Sequence, residues 1–221
     1  MAQGAADRRP PGKGPGQGAQ GPGRREERAF LPLGVAVLTV SDSRSEREDT
    51  SGRYLAEAVR EAGHRLVDRA LCRDERWWIR ARLCAWLVNP LVQVVLITGG
   101  TGFHPRDGTP EAVGPLLDRE VPGFGELFRA LSFRQVGSST VQSRALAGLA
   151  NGRLVACLPG ATRACRLAWE EILRPQLDSR HRPCSFAELL AGGPAGGEAF
   201  GQDAAQGVGQ DVPGAREGAL G

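Results

Sequence analysis

The sequence predicts an α/β layer fold on a mostly parallel sheet, and three observations predict it. Short β-branched runs alternate with stretches of helical periodicity through the middle of the chain. The strongest run, VQVVLI at 92–97, is apolar on both faces, as a central strand covered by helices must be. Four polar or glycine-rich turns fall where the carboxyl ends of strands would lie, the edge at which such sheets bind ligands.

Each element has its own warrant. LGVAVLTVS (33–41) is apolar, β-branched and bounded by polar residues, so it reads as a buried strand. After the polar loop DSRSERED, Thr50 or Ser51 caps a helix to about Ala62. Its apolar face is Tyr54, Leu55, Ala58 and Val59, and Gly63 stops it. HRLVDRALC (64–72) alternates imperfectly and reads as a second strand. Asp74 stands where an N-cap belongs, ahead of RWWIRARLCAWLV with its stripe Trp78, Leu83, Ala85, Trp86 and Leu87. Beyond 92–97 and its glycine loop, Thr109 caps and Pro110 opens a short helix, PEAVGPLLDRE. PGFGELFRALSF starts another, and SSTVQSRALAGLA (138–150) is expected to be helical from Ser138 or Ser139. RLVACLP (153–159) reads as a short strand and ATRACRLAWEEILRPQL as the last long helix.

The two ends differ from this middle. Residues 1–28 hold 7 glycines and residues 191–221 hold 10 of the chain's 31. Neither can bury enough apolar surface to offset the entropy of ordering, so both are expected to be disordered tails. One domain over 29–190 remains, a usual domain size. The net charge of +3 is small and spread out, which gives no reason to favour nucleic acid. No apolar run approaches the length of a membrane span, and the N-terminus has no apolar signal-like core. Five cysteines without a C-x-x-C pair, with His64, His104 and His181 scattered, argue against a structural zinc. They fit reduced thiols in a cytoplasm.

The stretch LITGGTGFHPRDGTPEAV (96–113) carries the chemistry. Taken alone it reads either as a tight turn or as a phosphate cradle. Gly99, Gly100 and Gly102 permit close backbone approach, and their amides with Thr101 can form an anion nest. Asp107 is then placed to hold Mg²⁺ against a phosphate chain. Asp74 is either a second acid or simply a helix cap. The only lysine is Lys13, in the first tail, so no Schiff-base or phosphate-binding lysine exists in the domain. Arg106 and Arg144 are the available anion clamps. The histidines read as surface or satisfied core groups. Trp77, Trp78, Trp86 and Trp169 read as core or subunit contacts, and Cys157 and Cys165 as core fillers. Ser41-Asp42-Ser43 has no histidine beside it, so no serine nucleophile is expected.

Five stretches are similar to the MoaB/MogA family of molybdenum-cofactor biosynthesis proteins, and most to its MoaB branch. They are VAVLTVSDSRSEREDTSGRYL, VQVVLITGGTGFHPRDGTPEA, DREVPGFGELFRALSF, SSTVQSRALAG and LPGATRACRLAWEEILRPQL, distributed through 33–190. The resemblance implies a three-layer α/β/α molybdopterin-binding fold in a homotrimer or homohexamer. It implies adenylyl transfer, with ATP and molybdopterin as substrates and Mg²⁺ as cofactor. It places the catalytic and metal-holding acids on Asp74 and Asp107. It places the phosphate and pterin loops on Gly99, Gly100, Thr101 and Gly102, and on Gly123, Gly125 and Glu126. Ser138, Ser139, Ser143 and Arg144, with Pro159 and Gly160, complete the set. The alternative is a protein of the same pathway that binds molybdopterin without catalysis.

Overall fold

The computed structural model describes residues 28–191. The tails expected at 1–28 and 191–221 therefore lie outside the described residues, apart from Arg28 and Ala191. Six strands form one sheet in the order β2-β1-β3-β6-β5-β4. These are β1 (Gly34–Val40), β2 (Arg65–Cys72), β3 (Val94–Thr98), β4 (Arg119–Glu120), β5 (Leu146–Ala150) and β6 (Arg153–Leu158). β2, β1, β3 and β6 run parallel, β5 is antiparallel to β6, and β4 is antiparallel to β5.

Strand periodicity divides the core in two. Val35 and Val37 of β1, Val94 and Leu96 of β3, and Leu154, Ala156 and Leu158 of β6 point to one face. There they meet α1 (Thr50–Glu61), α4 (Pro122–Val136) and α5 (Thr162–Ala168). Ala36, Leu38 and Val40, Val95 and Ile97, and Val155 and Cys157 point to the other face. There they meet α2 (Arg76–Leu87) and α3 (Thr109–Val113). The result is the expected three-layer α/β/α sandwich. β3 is buried at every position, and each such Leu or Ile contributes about 1.5–3 kcal/mol on burial.

Several elements differ from expectation for physical reasons. The helix expected over 138–150 is a 3₁₀ turn (Gly137–Gln142) followed by β5. β5 and β6 form a hairpin through Asn151 and Gly152, at φ 46° and 71°, as a two-residue type I′ turn requires. Pairing against β6 overrides the helix propensity of Ala and Leu in LAGLA. The helix expected over PEAVGPLLDRE stops at Val113, passes through a 3₁₀ turn (Gly114–Leu116) and ends in β4. α1 is capped by Asp49, whose carboxylate accepts from Gly52 N–H at 2.8 Å, not by Thr50 or Ser51. α2 is capped by Glu75, whose carboxylate takes the Trp77 and Trp78 amides, not by Asp74. That helix buries Ile79, Leu83, Trp86 and Leu87, while Trp78 and Ala85 face solvent. α5 runs on through a π-helical turn (Trp169–Leu173) into α6 (Arg174–Leu177). A short α7 (Phe186–Ala191), absent from the sequence reading, buries Ala187 and Leu190 in the core. Among the described residues no helix is long and apolar enough to cross a membrane.

The strand order places the functional edge. The chain leaves β1 for β2 on one side and then returns to β3 on the other. The carboxyl ends of β1 and β3 therefore diverge from a topological switch point, where open α/β sheets form a crevice.

Candidate functional site

A cleft of about 640 Å³ occupies that crevice. Turns after four parallel strands line it: Ser41 to Arg44 after β1, Asp74 after β2, the glycine loop after β3, and Pro159-Gly160 after β6. Ser139, Gln142 and Ser143 close one side. The convergence expected from the sequence is thus realised.

The glycine loop is held hard against its surroundings. Gly99 N–H donates to Leu158 O at 3.0 Å, extending the β3–β6 ladder by one bond. Gly99 and Gly100 then take φ of 106° and 62°, which turns the chain away from the sheet. The buried Thr109 ties the turn down: its hydroxyl donates to Gly99 O at 2.9 Å and its amide to Gly100 O at 3.0 Å. Among the described residues the amides of Gly100, Thr101 and Gly102 meet no protein acceptor. Three successive free N–H groups beside a cleft make an anion nest.

Two carboxylates press on this loop. A Cβ on Gly100 would lie 2.5 Å from Asp74 Oδ2, and a Cβ on Gly102 would lie 2.6 Å from Asp107 Oδ2. Asp74 Oδ1 accepts from Gly108 N–H at 3.1 Å, and Asp107 Oδ2 accepts from His104 N–H at 2.9 Å. Asp42 joins them: its Oδ1 accepts from Asp74 N–H at 3.2 Å, and its Oδ2 pairs with Arg106 at 2.9 Å. Burial pushes the Asp74 carboxyl above the usual carboxylate range. Asp107 and Asp42 push the same way, against the Gly108 amide and the Arg106 guanidinium. Three acids and one paired arginine leave a surplus of negative charge beside an amide nest. Mg²⁺ takes one or two carboxylates and completes its shell with phosphate oxygens and water, so this donor set suits it. No three His, Cys, Asp or Glu groups among the described residues form a ready-made all-protein metal site.

Residues 36–179 match the family model described as a probable molybdopterin binding domain. The chain is 57% identical over 157 residues to molybdenum cofactor biosynthesis protein B of Escherichia coli (strain K12). That alignment covers 71% of this chain and 92% of the relative. The chain belongs to the MoaB/MogA family. A crystal structure of a molybdenum cofactor biosynthesis protein B matches with a TM-score of 0.66 at 40% identity, over 68% of this chain and 94% of that one. The MoaB from Pyrococcus furiosus, described as a tungsten cofactor synthesizing protein, matches at 0.60 and 36%, over 66% and 92%.

In this MoaB/MogA chain the residues singled out from sequence separate into four groups. Asp74, Asp107, Gly99, Gly100, Thr101, Gly102, Ser139, Ser143, Pro159 and Gly160 all line the cleft. Arg144 does not line it. Its Nε donates to Gly102 O at 2.9 Å, its Nη2 to Asp107 O at 3.0 Å, and its Nη1 pairs with Glu111. The anion clamp expected from sequence is thus a brace tying the end of the glycine loop at Gly102 to Asp107. Ser138 is exposed beside the cleft without lining it. Gly123, Gly125 and Glu126 lie in the first turn of α4, outside the cleft, with Gly125 packed against Ala145 O. The structure adds Ser41, Asp42, Ser43, Arg44, His104 and Gln142 to the lining. The DSR turn after β1 was already visible as one of the converging loops. His104 and Gln142 carry no local signal, because only the fold brings them to the cleft.

Proposed function

We propose that this cleft binds molybdopterin and Mg²⁺-ATP and catalyses adenylyl transfer between them. An oxygen of molybdopterin's terminal phosphate forms the new bond to the α-phosphorus of ATP. The bond from the α-phosphorus to the β-phosphate oxygen breaks, and pyrophosphate leaves. The observation that carries this reading is the pairing of Asp74 and Asp107 against opposite ends of an amide-lined loop. Asp74 and Asp107 would hold Mg²⁺. When bound, the ion neutralises charge on the triphosphate and its leaving group. The free amides of Gly100, Thr101 and Gly102 meet phosphate oxygens and keep them in one geometry as charge moves between them. Arg144 and Thr109 keep the loop from shifting between turnovers.

We further propose self-association as a trimer or hexamer. The adjacent Trp77 (67% exposed) and Trp78 (63%) on α2 support it, as two large apolar side chains presented together to solvent. The five free cysteines are in keeping with a cytoplasmic protein.

The test is a mixture of protein, molybdopterin, ATP and Mg²⁺, assayed for pyrophosphate and adenylylated pterin. Product is expected, and chelating Mg²⁺ should abolish it. Asp107→Asn should lower turnover by about 100-fold or more while pterin binding is retained. Pterin binding with no pyrophosphate from the wild-type chain would make the protein a carrier. Unchanged turnover in Asp107→Asn would remove the role given to that acid.

A further inference from the structure

Two anions must meet in this cleft, yet the domain contains no lysine, the chain's single one being Lys13. The basic side chains of the cleft are therefore arginines and His104, whose Nδ1 accepts from Arg106 N–H at 3.3 Å. The arginines around the site are not equivalent. Arg106 is held by Asp42 at 2.9 Å. Arg144 spends its donors on Gly102 O, Asp107 O and Glu111. Arg44 lines the cleft and has no carboxylate partner among the described residues.

Arg44 is nevertheless anchored. Its Nη1 donates to Ser51 Oγ and to Gly160 O, both at 3.1 Å. Its backbone amide donates to Ser41 Oγ at 3.2 Å. The Gly160 turn rests on the glycine loop, since a Cβ on Gly160 would lie 3.3 Å from Gly99 Cα and 4.0 Å from Arg44 Nη1. The guanidinium thus sits on the Pro159-Gly160 side of the loop, whereas Asp74 and Asp107 press on Gly100 and Gly102. Its Nε and Nη2 meet no acceptor among the described residues. An oriented guanidinium with free donors and no counter-charge suits the oxygens of one phosphate.

We propose that Arg44 binds the terminal phosphate of the pterin substrate and thereby selects the phosphorylated pterin. This rests on the adenylyl-transfer reading of the site. The triphosphate has the acid-held cation and the loop amides. The incoming monoester is the second anion, and Arg44 is the unpaired positive charge left for it. The charge of the guanidinium offsets the repulsion between two phosphates that must come within bonding reach.

The experiment measures equilibrium binding of molybdopterin and of its dephosphorylated form, without ATP, to the wild-type chain, Arg44→Gln and Arg44→Lys. Wild type should prefer the phosphorylated pterin by about 10- to 100-fold, the range expected for hydrogen bonds to a charged group. Arg44→Gln should lose most of that preference by weakening only the phosphorylated form, and Arg44→Lys should recover part of it. In turnover, Arg44→Gln should raise KM for molybdopterin and leave KM for ATP near its wild-type value. The melting temperature of each variant separates loss of contact from loss of fold. A wild-type preference retained in Arg44→Gln overturns the proposal and leaves the adenylyl-transfer reading standing. Failure of the wild-type chain to bind either pterin overturns both.

Discussion

Gly100 shows how a single atom can be excluded by its surroundings. At φ 62° any other residue costs about 1–2 kcal/mol of backbone strain. A Cβ there would also meet Thr109 Oγ1 at 2.4 Å and Asp74 Oδ2 at 2.5 Å. Gly100→Ala should therefore lower the melting temperature modestly and cut turnover by about 100-fold, because it displaces both an acid and the tether of the loop. Gly114→Ala is the control: its Cβ would meet nothing within 4 Å and its φ is −47°. That variant should gain up to about 1 kcal/mol with activity unchanged. Wild-type turnover in Gly100→Ala would show that neither Asp74 nor the turn is needed. Asp74 itself illustrates what one residue type leaves open. An acid one position ahead of a helix suits a cap equally well, and only the capping of α2 by Glu75 frees Asp74 to turn toward Gly108.

At the scale of elements, two buried groups join strands to helices, and both make the fold sensitive to acid. His64 is 6% exposed at the end of the α1–β2 turn, and its Nδ1 accepts from Leu33 N–H at 3.2 Å. That bond requires the neutral ring, and burial holds the His64 pKa below its ordinary value despite the pull of Asp178. The unfolded chain therefore takes up this proton first. The stability His64 contributes is complete above about pH 6.5 and is lost as pH falls through its lowered folded value. Asp49, fully buried, links β1, β2 and α1. It accepts from Thr39 Oγ1 and Arg69 Nη2, each at 2.7 Å, as well as from Gly52 N–H. Burial alone would raise its pKa, but Arg69, Gly52 and Thr39 outweigh burial and hold it below the usual carboxylate range. Its contribution is present above about pH 3.8 and is lost below that as the carboxylate protonates. Melting temperature against pH should thus fall in two stages. His64→Gln should flatten the stage below pH 6.5 and leave the lower one. A flat wild-type profile between pH 7 and 5 would refute the role given to His64.

At the scale of the whole molecule, the exposed aromatics set a test. Trp86 and Trp169 are buried as expected, but Trp77 and Trp78 stand in solvent on α2, with Arg80 over the Trp77 ring at 5.1 Å. Sedimentation equilibrium at micromolar concentration should give a trimer or hexamer mass, and Trp77→Ser with Trp78→Ser should test whether this surface contributes. A monomer in the wild-type chain would remove the oligomer from the functional reading.

Much of this was legible in one dimension because it rests on local rules. Strands β1, β3 and β6 announce themselves by apolar β-branched runs, and the glycine loop by the only composition that allows its turn. The placement of Asp74 and Asp107 was legible because strand ends in a parallel sheet share one edge. The Asn151-Gly152 hairpin was also written in the sequence, as an N-G pair flanked by apolar runs, yet the helix propensity around Ala147 to Ala150 masked it. What only the tertiary structure decided is which donors remain free. Arg44, Arg106 and Arg144 are the same residue type in similar polar loops. Burial, carbonyl partners and the nearest carboxylate make one a brace, one an ion-paired neighbour of the acids, and one an anchored guanidinium without a carboxylate partner among the described residues. Those partners are as far as 116 residues away in the chain, so no local pattern can encode them.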